Sequence, residues 1–354
     1  MDPDRVKAFL FLVFGHLTGA VTSAMIHLGD RLGLYRAMYA AGEPLTAAEL
    51  AARTGLHERW VREWLYGQAC AGVVEYRGEG RFALSPEAAL VLAEENSPVF
   101  SAGAFHSLPE QFALVRELPN CFRTGLGLPY DALGSEGAVG IERFLAPWFR
   151  TFLVPLVLPA LDGVVDKLER GAKVADIGCG AGVALVQMAQ AYPHSEFHGY
   201  DISQHALARA RENVAAAGLT NVSLHCEGAE RLPSDGSFDL ITSFDCIHDM
   251  THPREVMRAV RKALKEDGTW LIADINARPT FEENLQHNPM AAMMYGISVL
   301  ACLSSSLSEP GGEGLGTLGF SEPVARAMAA EAGFTRFKRH DFGNPVNAYY
   351  ELRP

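Results

Sequence analysis

Two short stretches of this sequence gather residue types that can do chemistry. In Asp176-Ile-Gly178-Cys-Gly180-Ala-Gly182, three alternating glycines follow an aspartate. Glycines there let the backbone turn sharply and approach a bound ligand where a side chain would block it. Asp201 follows 25 positions after Asp176, a spacing at which a carboxylate can accept both hydroxyl protons of a ribose. The dinucleotide fingerprint would need a glycine at 183, where this chain has Val183, and Gly182 sits one place too early. An acidic residue ahead of the loop would also repel a pyrophosphate. NAD is therefore excluded in favour of a nucleoside ligand without one.

The second stretch is Ser243-Phe-Asp-Cys-Ile-His248-Asp249-Met. His248 titrates near neutrality and can take a proton from a hydroxyl or an enolisable carbon, or with Asp249 it can merely cap a turn. His287, in Asn284-Leu-Gln-His287-Asn-Pro, adds a third group. His248, Asp249 and His287 would form a two-histidine, one-carboxylate set with open positions for a divalent or ferric ion. His252, His225 or Asp274 could replace one of them.

These residues need elements to position them. From Gly171 onward, Lys173–Ile177, Glu196–Tyr200, Asn221–Cys226, Phe238–Phe244 and Thr269–Ile275 read as strands separated by helices, with closing strands at Thr335–Phe342 and Asn347–Leu352. That alternation specifies an α/β, Rossmann-like, mostly parallel seven-stranded sheet, with ligands at the carboxyl ends of its strands. The glycine loop then lies between the first strand and its helix, Asp201 ends the second strand, and His248 follows the fourth. An insertion, 276–320, follows the fifth strand. Ahead of the sheet, Thr46–Thr54, Gly55, Glu58–Ala71, Val73-Val-Glu-Tyr, a Gly78-Glu-Gly80 turn and Arg81-Phe-Ala-Leu read as a winged helix. Ser85 to Leu168 is irregular and helical, with aromatic residues such as Tyr130, Trp148 and Phe149 available to line a pocket. The expected domains are 1–168, all-helical and winged-helix, and 169–354.

The Asp-x-Gly-x-Gly-x-Gly run, Asp201, Glu230-Arg-Leu-Pro233 and Phe238-Asp-Leu-Ile-Thr together resemble class I S-adenosylmethionine-dependent methyltransferases over about Gly171–Ile275. The resemblance implies that Asp176, Gly178, Gly180 and Gly182 hold the methionine end of S-adenosyl-L-methionine, Asp201 and Ile202 the ribose side, and Glu227, Gly228 and Ala229 the adenine, with Phe244 beside the loop. Family members often carry an aspartate where this chain has Gly228. The Ile-His-Asp and Asn-x-x-His-Asn-Pro segments and Gly311-Gly-Glu-Gly-Leu-Gly316 resemble bacterial small-molecule methyltransferases, including α-keto acid C-methyltransferases, in which a metal chelates the keto acid. That resemblance implies metal-assisted C-methylation. The alternatives are metal-free O-methylation of a phenolic natural product with His248 as base, and a DNA-binding sensor of S-adenosylmethionine.

Charge and composition narrow the partners. A net charge of -12 argues against general affinity for nucleic acid, and the winged-helix segment Pro44–Leu84 holds as many glutamates as arginines and no lysine. A small-molecule substrate is expected. The six scattered cysteines form no Cys-x-x-Cys pair and suit a reducing cytoplasm. From Ala8 to Gly29 no side chain is charged, long enough for a bilayer. Gly15, Gly19, His16 and His27 weigh against a span, and Met-Asp-Pro-Asp-Arg lacks the positive charge of a signal peptide. A buried helix at a homodimer interface is the expectation, with no membrane.

Overall fold

The computed structural model describes residues 1–354, and Asp2 starts its first helix, α1 (Pro3–Arg31). The Asp2 carboxylate accepts from the Asp4 amide at 3.0 Å, while Pro3 at the first helical position needs no donor partner. Every residue from Met1 to Val21 is exposed. No other part of the chain covers this apolar half, in which Phe9 and Phe11 stay 67% and 66% exposed. By length and composition α1 could cross a membrane.

The chain forms two compact units, Met1–Pro109 with Arg143–Pro147 and Glu110–Glu142 with Trp148–Pro354. The boundary expected at residue 168 thus lies inside the second unit, because 110–142 and 148–168 group with the sheet. In the first unit, α2 (Leu34–Ala41), α3 (Ala47–Thr54) and α4 (Glu58–Cys70) precede a small antiparallel sheet. Its strands are β1 (Leu45–Thr46), β2 (Glu75–Tyr76) and β3 (Arg81–Ala83), in the order β1-β3-β2. Thr46 and Glu49 form a reciprocal capping box at the start of α3, and Gly55 ends it with φ +69°. Leu34, Tyr35, Leu50, Leu65 and Phe82 fill the core. The winged helix read from the sequence is present.

The second unit is built on a seven-stranded sheet of β4 (Lys173–Ile177), β5 (Glu196–Asp201), β6 (Val222–Cys226), β7 (Phe238–Phe244), β8 (Leu264–Ile275), β9 (Arg336–His340) and β10 (Asn347–Arg353). Its order is β6-β5-β4-β7-β8-β10-β9. The first five in that order run parallel, and β10 is antiparallel to both its neighbours. Every residue of β7 is buried, as a strand covered on both faces must be. Trp270, Phe238, Ile241, Ile272, Phe320 and Tyr350 form the heart of one core, each worth about 1.5–3 kcal/mol of burial. The chain leaves β4 toward β5 and β6 on one side and returns to β7 and β8 on the other. The crevice at the carboxyl ends of β4 and β7 is therefore where a ligand can enter between loops that diverge.

Candidate active site

The glycine loop opens from β4. Gly178 has φ +62°, and a Cβ there would lie 2.7 Å from the Cys246 Cβ, so the loop after β7 can close against it only because residue 178 has no side chain. Gly180 has φ +55°, and nothing stands within 4 Å of where its Cβ would point; its backbone borders open space. Gly182 starts the helix Val183–Ala191, whose first amides point back toward the loop.

Two carboxylates flank that space. Asp176 is buried and accepts from Thr242 Oγ1 at 2.7 Å; burial pushes its carboxyl up to about 7, the Thr242 hydrogen bond works against this, and Asp201 adds to the rise. Asp201, at the end of β5, accepts from the Gly180 amide at 2.8 Å and the Ser203 amide at 2.8 Å. Burial raises it too, although both amides favour its charged form. Each oxygen spends one lone pair on the backbone and keeps another for a ligand hydroxyl. Ile202, next along, is 65% exposed, an apolar surface that a flat ring can cover. Across the crevice at the end of β6, Glu227 is exposed and Ala229 buried. A carboxylate for an amino group (Asp176), a carboxylate for a diol (Asp201) and an apolar platform for a ring fit the donor set of an adenosyl amino acid. Phe244 ends β7, buried and packed edge-on against Phe149 at 4.8 Å.

The reacting end lies after β7. Asp245, at φ +51°, is held by its amide on Ala273 O at 2.8 Å and by Asn347 donating to its carboxylate at 2.5 Å. A short turn, Ile247–Asp249, then carries His248 inward. His248 Nδ1 pairs with Asp274 Oδ1 at 2.6 Å, and both side chains are buried. Asp274 also accepts from the amides of Ile247 at 3.2 Å and Ile275 at 2.7 Å, so its position is over-determined. Burial alone would lower the imidazole pKa, but the Asp274 carboxylate, with help from Cys302, holds it well above its usual value. Cys302 ends a π-helical turn, Ser298–Cys302. Asp249 is half-buried. Burial pushes its carboxyl up to about 7, His248 opposes the shift, and Asp274 and Asp201 add to it.

Tyr130, which opens the turn Tyr130–Leu133, sits within electrostatic reach of Asp249 and Asp201; burial and those charges push its phenol well up. Its neighbour Asp131 accepts a hydrogen bond from Ser203 Oγ. Tyr130 thus spans the ligand-holding and reacting halves.

The site brings together Asp176, the glycines, Asp201, His248 and Asp249. It does not bring in His287, which lies exposed in the last turn of the helix Phe281–His287. His248, Asp249 and His287 form no metal set, and no other group of three potential ligands does so. Sequence reasoning missed Asp274 as the partner of His248, although its place at the end of β8, the strand beside β7, was a usable signal. Nothing in the sequence marked Tyr130 or Cys302 beyond their residue type. Met294, in the insertion, is buried against Ala277 and Leu318 rather than free to line the site.

Comparison with known proteins agrees with this geometry. Residues 168–311 match the family model of a methyltransferase domain, and residues 20–94 match that of an Rv2258c-like winged helix-turn-helix domain. Residues 168–311 are a methyltransferase domain. The chain is 30% identical over 127 residues to a ubiquinone biosynthesis O-methyltransferase of Neisseria meningitidis, covering 35% of this chain and 52% of that protein. It is 30% identical over 113 residues to a malonyl-[acyl-carrier protein] O-methyltransferase of Bacillus cereus, covering 31% and 40%. The chain spans about half the length of these curated relatives. In fold it is similar to human N-acetylserotonin methyltransferase, solved in complex with SAM, at TM-score 0.70 and 16% identity over 100% of this chain and 98% of that one. An O-methyltransferase family protein from Burkholderia thailandensis gives TM-score 0.69 and 17% identity, covering 98% of both chains.

Proposed function

We propose that this protein transfers a methyl group from S-adenosylmethionine to a hydroxyl of a small acceptor, with His248 as the base. The observation that carries this reading is the buried His248–Asp274 pair at the end of β7 and β8, beside the loop that fits the cofactor. When bound, the cofactor supplies an electrophilic methyl on a sulfonium. The chain then has to align the acceptor and take its proton, and alignment supplies much of the rate. Asp274 fixes the imidazole through Nδ1, and Nε2 receives the acceptor proton when the imidazole is neutral, above its raised pKa. The acceptor oxygen bonds to the methyl carbon while the carbon–sulfur pair returns to sulfur.

Charge favours a neutral or cationic acceptor over an α-keto acid. The groups acting most strongly on Asp245 and Asp249 are Asp274, Asp201 and His248, with no arginine or lysine. Arg123 and Arg150, the cations a carboxylate acceptor would want, are both exposed. Incubation with methyl-labelled S-adenosylmethionine and a panel of phenols and alcohols tests the reading. Label on oxygen, lost in His248→Gln, is the expected result; label on carbon, or transfer undiminished in that variant, overturns it.

The winged helix serves this reading as scaffold rather than DNA reader. On α4, Arg59 pairs with Glu63 at 2.5 Å and Arg62 with Glu58 at 3.5 Å, so its cations face its own acids. The uncovered half of α1 is assigned to a second copy of the chain. Thr18 and Ser23 turn their hydroxyls onto the Phe14 and Gly19 carbonyls, leaving an apolar surface with the small residues Gly15 and Gly19, where a partner helix can approach closely. Light scattering should give twice the chain mass of 38.4 kDa; a monomer at micromolar concentration would remove the dimer.

A further inference from the structure

One carboxylate beside Asp201 has no assigned task. Asp131 lies in the turn Tyr130–Leu133, in the same compact unit as the sheet but ahead of the residues that match the methyltransferase family model. Its Oδ1 accepts from Ser203 Oγ, and its Oδ2 carries no hydrogen bond from the chain. Ser203 is 2% exposed and caps the helix Gln204–Ala216, its hydroxyl oxygen accepting from the Ala206 amide at 3.1 Å. The Ser203 amide donates to Asp201 Oδ1 at 2.8 Å. One residue thus holds two carboxylates, Asp201 on its amide and Asp131 on its hydroxyl.

A buried hydroxyl proton needs an acceptor, and a neutral one serves. A backbone carbonyl, or an amide side chain at 131, would satisfy Ser203 without setting a second negative charge beside Asp201. Burial already pushes the Asp201 carboxyl up, and the Asp131 charge pushes it further. The groups acting most strongly on Asp201 include no arginine or lysine to offset that repulsion. Two carboxylates kept side by side are costly unless donors come between them. The donors that the proposed cofactor brings to the end of β5 are two adjacent ribose hydroxyls. Asp201 Oδ1 and Oδ2 each already hold a backbone amide, from Ser203 and Gly180. Asp131 Oδ2 holds none and keeps its full capacity to accept.

We infer that the ribose diol is divided between two acids, Asp201 taking one hydroxyl and Asp131 the other. This rests on the proposed use of S-adenosylmethionine and goes beyond it by naming a second sugar-reading residue, contributed from outside the methyltransferase domain. Ser203 is then the positioning residue that keeps the two carboxylates together. Each hydroxyl has its own acceptor, so the loss of either is felt separately.

The test is calorimetric titration of the full-length chain with S-adenosylhomocysteine and with its 2′-deoxy and 3′-deoxy analogues. The wild type should bind each analogue about 10- to 150-fold more weakly than the parent, the range of one hydrogen bond to a charged group. In Asp131→Ala the penalty for one analogue should vanish while the other keeps its full penalty. Asp131→Asn, which keeps an acceptor oxygen without the charge, should shrink that same penalty to a few-fold and leave the other unchanged. Asp131 is half-buried, so the fold should survive, and the penalty retained for the second analogue reports an intact Asp201 site. Both penalties undiminished in the two variants, or both lost together, overturn the division while leaving the methyltransferase reading intact, as does a wild type indifferent to either hydroxyl. Failure of the wild type to bind S-adenosylhomocysteine at all would overturn both.

Discussion

Asp249 offers a test of the site that needs no acceptor. Its carboxyl is half-buried, and the charges around it are mostly negative, so its pKa moves from 3.8 up to about 7. An acid with a raised native pKa binds more protons folded than unfolded. Its contribution therefore weakens the fold as pH climbs from near 4 toward 7 and stays constant above that. At about 1.4 kcal/mol per unit, ionising Asp249 costs the fold about 4 kcal/mol by pH 8, as an upper bound given its partial exposure to water. Asp249→Asn keeps the shape and removes the charge. Urea unfolding of the two proteins between pH 4 and 9 should give nearly equal stability at the acid end. By pH 8 the variant should be more stable by about 2–4 kcal/mol, with the difference opening mainly between pH 4 and 7. A residue retained against stability is what a working site shows. If Asp249→Asn is less stable than wild type at every pH, the carboxylate is a structural partner and the electrostatic account of the site fails.

Other substitutions probe the remaining parts. Asp201→Asn replaces one acceptor oxygen by a donor facing the Gly180 or Ser203 amide; S-adenosylhomocysteine affinity by calorimetry should fall about 10- to 150-fold. Gly178→Ala forces a Cβ into Cys246 at φ +62°, and denaturant unfolding should show a loss of about 2–4 kcal/mol. Asp274→Asn removes the carboxylate that raises His248. In the wild type that pair stabilises the fold fully below the ordinary histidine pKa of about 6.5, and its contribution is lost as pH rises through the native value. The variant should lack that part of the pH dependence, and a His248 resonance followed by NMR should titrate at lower pH than in the wild type.

The sheet was legible because its strands are apolar runs bounded by glycine: Lys173–Ile177 and Phe238–Phe244 are β4 and β7 residue for residue. β8 begins at Leu264 rather than Thr269, since Lys265-Glu-Asp-Gly268 looks like a turn but continues the strand beyond an irregularity opposite Phe238 and Leu240. The loop and Asp201 were legible because the first and second strands place them locally. The His248–Asp274 pair was not. It depends on the parallel register that sets Phe244 opposite Ala273, a long-range alignment that no spacing encodes, and Asp274 showed in the sequence only as a possible metal ligand. His287 stood within a family-like motif, yet the helix that carries it turns it to solvent. Tyr130 and Asp131 come from a stretch of short helices without periodic signal, so only the folded chain reveals that they reach Asp201, Ser203 and Asp249.

The claim that Asp176 to Gly182 and Asp201 form an adenosyl-amino-acid site is tested most directly by calorimetric titration of the full-length chain with S-adenosylhomocysteine, with NADH titrated in parallel. The account predicts saturable binding of one S-adenosylhomocysteine per chain and none of NADH. Binding of NADH instead, or of neither ligand at millimolar concentration, would contradict it.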